Sequence, residues 1–128
     1  MTYHFSRKIN VPFDEALART IEALKREGFG ILTDIDVSAT LKSKLGEDFR
    51  AYRILGACNP QLAFSALKLE DKIGTMLPCN VIVQEHPADG VEISAVDPVA
   101  SMQAIENPGL AEVAVQVQAK LRRVIDTL

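Results

Sequence analysis

Hydrophobic and polar residues alternate along several short segments of the chain, and this two-residue period is typical of strands that bury one face. The polar phase of these segments contains Ser6, Asp34 and Glu92. Strands with one apolar and one polar face predict a sheet that has helices on one side and water or a partner on the other. The predicted strands are residues 2–9, 29–37, 49–58, 79–86 and 91–96.

Segments with an apolar stripe at helical spacing separate these strands and predict helices. Their boundaries are marked by proline near the start, by asparagine or serine as an N-cap, and by glycine at the end. The predicted helices are residues 12–28 with Gly28 as the stop, a short helix capped by Ser38 and ended by Gly46, residues 60–72 with Asn59 as the cap, and a last helix that opens at Asn107 and Pro108.

The segment PADG joins the last two predicted strands, and its Asp89-Gly90 pair is a strong hairpin signal. Asp97, before Pro98, is expected to cap the turn that follows. The whole pattern predicts an α+β fold, a two-layer, mainly antiparallel sheet of about five strands with helices packed on one face. The length fits a single domain over residues 1–128.

Composition and charge argue against several classes of protein. Hydrophobic residues make up 48% of the chain, enough for one core, and the net charge of −3 argues against a nucleic-acid partner. No run reaches the roughly 18 apolar residues of a membrane span, and the N-terminal residues lack the apolar stretch of a secretory signal. With only two cysteines in the chain, the sequence predicts a cytoplasmic protein with free thiols.

The strings TDIDVSATLKSKLG, FRAYRILGACNP, LPCNV and SAVDP follow one another along the chain. With them the sequence resembles the family catalogued as domain of unknown function 302, over nearly its whole length. The resemblance implies a compact two-layer α+β fold assembled as a homodimer, and it brings no established reaction. The cysteine motifs of the family match residues 56–60 and 78–80 of this chain.

The two cysteines are the strongest candidates for chemistry. Cys58 stands just before a predicted helix N-terminus, where unpaired amides and the helix dipole favour a thiolate. Asn59 supplies an amide donor and an acceptor, and Gly56 would let another chain or a ligand approach the backbone. Cys79 is expected to point at the core face of its strand, and Asn80 follows it as a second Cys-Asn pair. Buried, inert thiols are the simpler interpretation.

The distance between the thiols depends on the helix that separates them. A continuous helix of about a dozen residues advances roughly 18 Å, which would place Cys58 and Cys79 at opposite ends of the core and exclude a disulfide. An earlier end of this helix, near Gly74 and Pro78, would let the chain loop back and bring the two thiols together. The sequence therefore does not decide whether Cys58 and Cys79 meet. Two thiolates would suit Cu(I) or part of a zinc site, but no CxxC or nearby histidine accompanies them. The sequence therefore requires no cofactor.

Other polar residues give weaker signals. Tyr52 and Arg53, upstream of Cys58, could line a small pocket, or serve as one packing aromatic and one surface cation. Asp34 and Asp36 share a strand face and are interpreted as solvated acids that meet Arg53 or Lys8 from a neighbouring strand. No acid–base constellation or phosphate-binding glycine motif is present.

Three hypotheses for the function follow. The leading one is a non-enzymatic or weakly catalytic homodimeric module that binds a small molecule near Cys58 and Cys79. The second is a thiol-dependent sulfur carrier or redox protein that uses Cys58 as its nucleophile. The third is a structural or adaptor protein with inert cysteines. Nucleic acid and membrane are not expected as partners in any of them.

Overall fold

One sheet of five antiparallel strands forms the base of the fold, in the order β1-β5-β4-β3-β2. The molecule is described by a computed structural model over residues 2–86, 88 and 90–128. The strands are β1 (His4–Ile9), β2 (Gly30–Asp36), β3 (Tyr52–Cys58), β4 (Cys79–His86) and β5 (Gly90–Val96). The predicted α+β fold, with a mainly antiparallel sheet, is confirmed.

Helices connect the strands and cover one face of the sheet. They are α1 (Phe13–Arg26), α2 (Val37–Leu45), α3 (Pro60–Leu69), α4 (Pro98–Ser101) and α5 (Pro108–Asp126), and a short 3-10 helix spans Ile73–Met76. Among the residues that the structure describes, no helix is long and apolar enough to cross a membrane.

The core lies between the sheet and the helices α1 and α5. Alternate residues of the central strands are fully buried, among them Val81, Val83 and Ile93. They meet Leu24 of α1 and Leu121 of α5 in one cluster. Because burial of such a side chain stabilises the fold by about 1.5–3 kcal/mol, this face fixes the register of every strand. The concave surface on the opposite phase of the strands has no helix residue among its described lining.

The capping residue of α2 differs from the prediction. Asp36, not Ser38, is the N-cap, and its Oδ1 accepts a hydrogen bond from the Ala39 amide at 2.9 Å. Ser38 lies inside the first turn and donates through Oγ to the Phe49 carbonyl at 2.8 Å. The chain passes directly from β2 into α2, so the last strand residue is the one left to cap it. Gly46, with φ +70°, ends the helix as predicted.

Two other boundaries are shorter than the sequence indicated. Strand β3 begins at Tyr52 rather than at residue 49, and α3 ends at Leu69 rather than at residue 72. The predicted caps Asn59, Asp97 and Asn107 are confirmed, because each side chain accepts a bond from an amide of the first helical turn.

The predicted hairpin is present as an antiparallel pair of β4 with β5, in which His86 lies opposite Gly90. Pro87 and Asp89 of the predicted PADG turn lie outside the described residues, so the turn itself is not characterised.

Candidate functional site

A small apolar cavity, of about 40 Å³, lies where β3 leaves the sheet and β4 enters it. Cys79 borders it from the sheet, Cys58 borders it from the end of β3, and the helices α3 and α5 close it. Its walls are apolar side chains of the helical layer and the sheet, including Phe29, Leu62, Ala66, Leu110, Ala114 and Val117. We call this space the cysteine cavity.

The two cysteines share this cavity because β3 and β4 are antiparallel neighbours. Cys79 is the first residue of β4 and pairs with Ala57, one position before Cys58. Since α3 ends early, the chain returns through the 3-10 helix, which is anchored by the fully buried side chain of Ile73. Of the two geometries that the sequence left open, the one with an early helix end is correct.

The thiols differ in their surroundings. Cys79 is 7% exposed and belongs to the core cluster, as its position in phase with the buried valines of β4 predicted. Burial, with a smaller effect of the neighbouring Cys58, raises the pKa of the Cys79 thiol to about 11. Cys79 is therefore a neutral thiol at physiological pH, whereas Cys58 is only partly buried, and both are free.

Asn59 is the polar side chain of the cysteine cavity. Its Oδ1 caps α3 by accepting a bond from the Leu62 amide at 3.3 Å, so the orientation of the carboxamide is set by the helix. A Cβ at Gly28, where φ is +87°, would lie 3.0 Å from Asn59 Nδ2. Gly28 thus leaves room for this nitrogen, which is the donor that capping does not use.

Gly56 allows two side chains of the same molecule to close over β3. A Cβ at this position would meet Thr33 Oγ1 and would lie 2.7 Å from Pro78 Cγ. The approach to the backbone that the sequence suggested for a partner or ligand is therefore made by Thr33 and Pro78. Pro78, which follows a cis peptide bond, immediately precedes Cys79.

The remaining predicted site residues lie away from the cysteine cavity. Arg53 forms a bidentate pair with Asp34, with Nε 2.7 Å from Oδ1 and Nη2 2.5 Å from Oδ2. The hydrogen bonds of Arg53 lower the pKa of Asp34 below its ordinary value of 3.8. This pair is the solvated acid–cation contact that the sequence indicated. Asn80 and Tyr52 line a separate concave surface on the helix-free face of the sheet.

Metal ligands are sparse around the thiols. Within the described part of the chain, no group of three or more histidine, cysteine, aspartate or glutamate side chains is arranged to hold a metal ion. A metal bound by Cys58 and Cys79 would have to accept two protein ligands, as Cu(I) can.

A known family and a solved structure match the chain over almost its whole length. A family model, described as domain of unknown function DUF302, matches residues 5–128. The chain belongs to the DUF302 family. A crystal structure of an uncharacterized conserved protein DUF302 from Bacillus stearothermophilus is similar to this DUF302 domain, with a TM-score of 0.90, 30% sequence identity, and coverage of 98% of each chain. None of the curated proteins compared with the sequence matches it.

Sequence reasoning missed the contribution of the last helix to the site. Leu110 and Val117 of α5 form cavity walls, and both belong to the apolar stripe that the sequence assigned to the core. The stripe indicates only that these residues are buried. It does not indicate that a space is left between them and Cys79.

Proposed function

We propose that this DUF302 domain is a homodimeric binding module, and that it holds a small, neutral, largely apolar molecule or group in the cysteine cavity. The observation that supports this proposal best is that two cysteines, far apart in the chain, border one apolar space beneath α3 and α5. An empty space of this kind lowers the stability of a folded protein, because the atoms that line a void lose van der Waals contacts.

The chemistry of the lining favours a neutral occupant. Among the described residues that line the cavity, none carries a charge. A charged ligand would lose its hydration without gaining a counter-ion, which is strongly unfavourable in an apolar site. The polar groups at the border of the cavity are the neutral Cys79 thiol, the Cys58 thiol and the Asn59 carboxamide. A molecule with an apolar body and one weak acceptor fits this set.

The size of the cavity limits its occupant. Its volume is about 40 Å³, whereas an engineered apolar cavity of about 150 Å³ binds benzene. A short alkyl or thioether group therefore fits without rearrangement, and a larger ligand requires α3 to move away from α5.

Exposed apolar side chains in the helical layer support the homodimer. Phe64 and Leu67, three residues apart on α3, are 63% and 44% exposed, and Val115 of α5 is 53% exposed. Apolar residues on the outer sides of adjacent helices are typical of surfaces that another protein covers. A second copy bound there would contact α3, which also forms one wall of the cysteine cavity.

Native mass spectrometry of protein purified without reductant or affinity metal tests both the homodimer and the bound molecule. The expected result is a dimer that carries an additional small mass, and this mass should be lost in Ala66→Leu, which fills the buried side of α3. The matched control is Ser65→Leu, which adds a leucine to the exposed side of the same helix and should retain the mass.

A monomer would contradict the homodimer. A bare dimer, with the mass calculated from its sequence for both the wild type and Ala66→Leu, would contradict ligand binding. An extra sulfur atom that disappears in Cys58→Ser would instead support the sulfur-carrier hypothesis.

A further inference from the structure

The helix-free face of the sheet carries a second concave surface, with a volume of about 340 Å³. It extends over β1, β5, β4 and β3, and it is distinct from the cysteine cavity, which lies among the helices. Its size is that of a pocket for a small organic molecule. We call it the sheet-face cleft, and its lining includes Ser6, Tyr52, Ile82, Gln84, Glu92 and Ser94.

Small side chains form the base of the sheet-face cleft. Ser6 lies opposite Ser94, and Ser94 lies opposite Ile82, so these residues form one row across three strands. Larger side chains rise on either side of the row, with Gln84 paired with Tyr52 and with Glu92 in the adjacent row. The two serines therefore leave a depression that the longer neighbours surround.

A chain of hydrogen bonds runs from His4 into this depression. His4 Nδ1 lies 2.7 Å from Ser6 Oγ, and Ser6 Oγ lies 2.7 Å from Ser94 Oγ. Because each hydroxyl has one hydrogen, the direction of the chain is set by the imidazole. When Nδ1 is an acceptor, Ser6 donates to it, Ser94 donates to Ser6, and Ser94 presents its lone pairs to the cleft. When Nδ1 carries hydrogen the chain reverses, and Ser94 can donate.

Two further polar side chains of the cleft, Gln84 and Glu92, each have one oxygen already in contact with a neighbouring residue. Gln84 Oε1 accepts bonds from Arg50 Nη2 at 2.8 Å and from Arg50 Nε at 3.1 Å. This leaves Gln84 Nε2 as a donor. Glu92 Oε1 lies 3.3 Å from His86 Nε2, which leaves Glu92 Oε2 as an acceptor. Neighbouring residues thus orient both side chains before any ligand arrives.

These groups together match the chemistry of a neutral polyhydroxylated molecule. Adjacent hydroxyl groups of such a molecule need donors and acceptors side by side, and Gln84, Glu92 and Ser94 provide them. Ile82 and the ring of Tyr52 offer apolar surface for its carbon skeleton. The described lining of the cleft contains no lysine or arginine and does contain the Glu92 carboxylate, which disfavours a phosphate or carboxylate as the ligand.

We propose that the sheet-face cleft binds a neutral polyol of about the size of a monosaccharide, through Ser94, Gln84 and Glu92. This site is independent of the function proposed for the cysteine cavity. The carbons of the polyol lie against Ile82, and its hydroxyl groups exchange hydrogen bonds with the three polar side chains.

Titration of ¹⁵N-labelled full-length protein with glucose, galactose, mannose and myo-inositol, followed by NMR, tests this proposal. At least one of them should cause saturable shifts in amides of β4 and β5, whereas glucose 6-phosphate should bind more weakly. Gln84→Leu should lower the affinity roughly fivefold, the usual worth of one neutral hydrogen bond. Gln116→Leu, the same change on the exposed side of α5, should leave the affinity unchanged.

Each contrary result overturns the proposal. One is the absence of saturable shifts with every polyol near its solubility limit. Another is a set of shifts confined to residues around the cysteine cavity. A third combines two results: the wild type binds no sugar, and native mass spectrometry finds Gln84→Leu as a monomer. The cleft would then be a surface that a second copy covers. The wild-type titration decides the question even if a variant fails to fold.

Discussion

Cys79 lies directly opposite Ala57 across β3 and β4, one position before Cys58. Side chains alternate between the two faces of a sheet, so Cys79 points into the helical layer with Ala57, whereas Cys58 is the last residue of β3 and borders the same cavity from the strand end. The two thiols are therefore neighbours in the fold, and Cys58 contributes to the raised pKa of the Cys79 thiol. Their roles are separate, with Cys79 a neutral wall of the cysteine cavity and Cys58 its more accessible border.

The burial of Cys79 predicts that the two cysteines do not readily form an intramolecular disulfide. Thiol–disulfide exchange needs an accessible thiolate, and the Cys79 thiol is 7% exposed with a pKa of about 11. After treatment with diamide, peptide mass spectrometry should find free Cys79 and, at most, Cys58 joined between molecules. The Cys79→Ala variant should give the same product linked between molecules through Cys58, and a linked Cys58–Cys79 peptide from native protein would contradict the inaccessibility of the Cys79 thiol.

The thiols should also differ in alkylation. Iodoacetamide at pH 7.5 is expected to modify Cys58 in the native protein and to leave Cys79 unmodified, because the Cys79 thiol is buried and has a pKa of about 11. Mass spectrometry of digested protein measures each site, and Cys58→Ser should show no native modification at all. In urea both thiols of the wild type should react. Equal rates for the two native thiols would mean that the cavity opens readily.

Gly56→Ala should destabilise the fold, because its new methyl group would collide with Thr33 and Pro78. We expect a loss of about 1–3 kcal/mol in the free energy of unfolding, the usual cost of overpacking. Urea denaturation followed by circular dichroism measures it. Gly74→Ala is the matched control, since nothing lies within 4 Å of a Cβ at that position. If both variants were equally stable, Pro78 would not be held against Gly56.

The Arg53–Asp34 pair should make the stability of the fold depend on pH in the acid range. Its hydrogen bonds lower the pKa of Asp34 in the folded state, so the stabilisation is present above the ordinary pKa of 3.8 and is lost as pH falls through the lowered value. Thermal unfolding between pH 2 and pH 6 should therefore show a steeper acid loss for the wild type than for Asp34→Asn.

The matched control for this pair is Asp48→Asn, because the Lys42–Asp48 bridge has side chains that are 63% and 92% exposed. Such an exposed pair contributes little to stability. This variant should keep the acid dependence of the wild type. Identical acid profiles for all three proteins would show that the Arg53–Asp34 pair does not stabilise the fold.

The fold followed from the sequence wherever one local rule decided the structure. The two-residue period marked β1, β2, β4 and β5, and the caps Asn59 and Asn107 marked the starts of α3 and α5. A bulge in β2 was not predictable in this way. Ile31 lies opposite Ala57, but Thr33 lies opposite Gly56, so Leu32 is an extra residue that shifts the alternation. Strand periodicity gives no signal for one inserted residue.

The candidate site was predictable only in part, for a related reason. The motifs singled out Cys58 and Cys79, but their proximity depends on where α3 ends and on how Ile73 is buried against Leu110. Those are packing effects between distant parts of the chain. Likewise, Asn80 follows Cys79 in sequence, yet strand alternation places it on the other face of the sheet, in the sheet-face cleft.

The central claim, that the cysteine cavity admits a small apolar guest, is tested most directly with xenon. Under xenon pressure, ¹³C-labelled methyl groups of Leu62, Ala66 and Val117 should shift in a saturable way in ¹H–¹³C NMR spectra, because an apolar space of suitable size binds this atom. The shifts should vanish in Ala66→Leu and persist in Ser65→Leu. Methyl groups that do not respond in the wild type would contradict the account and leave Cys58 and Cys79 as structural residues.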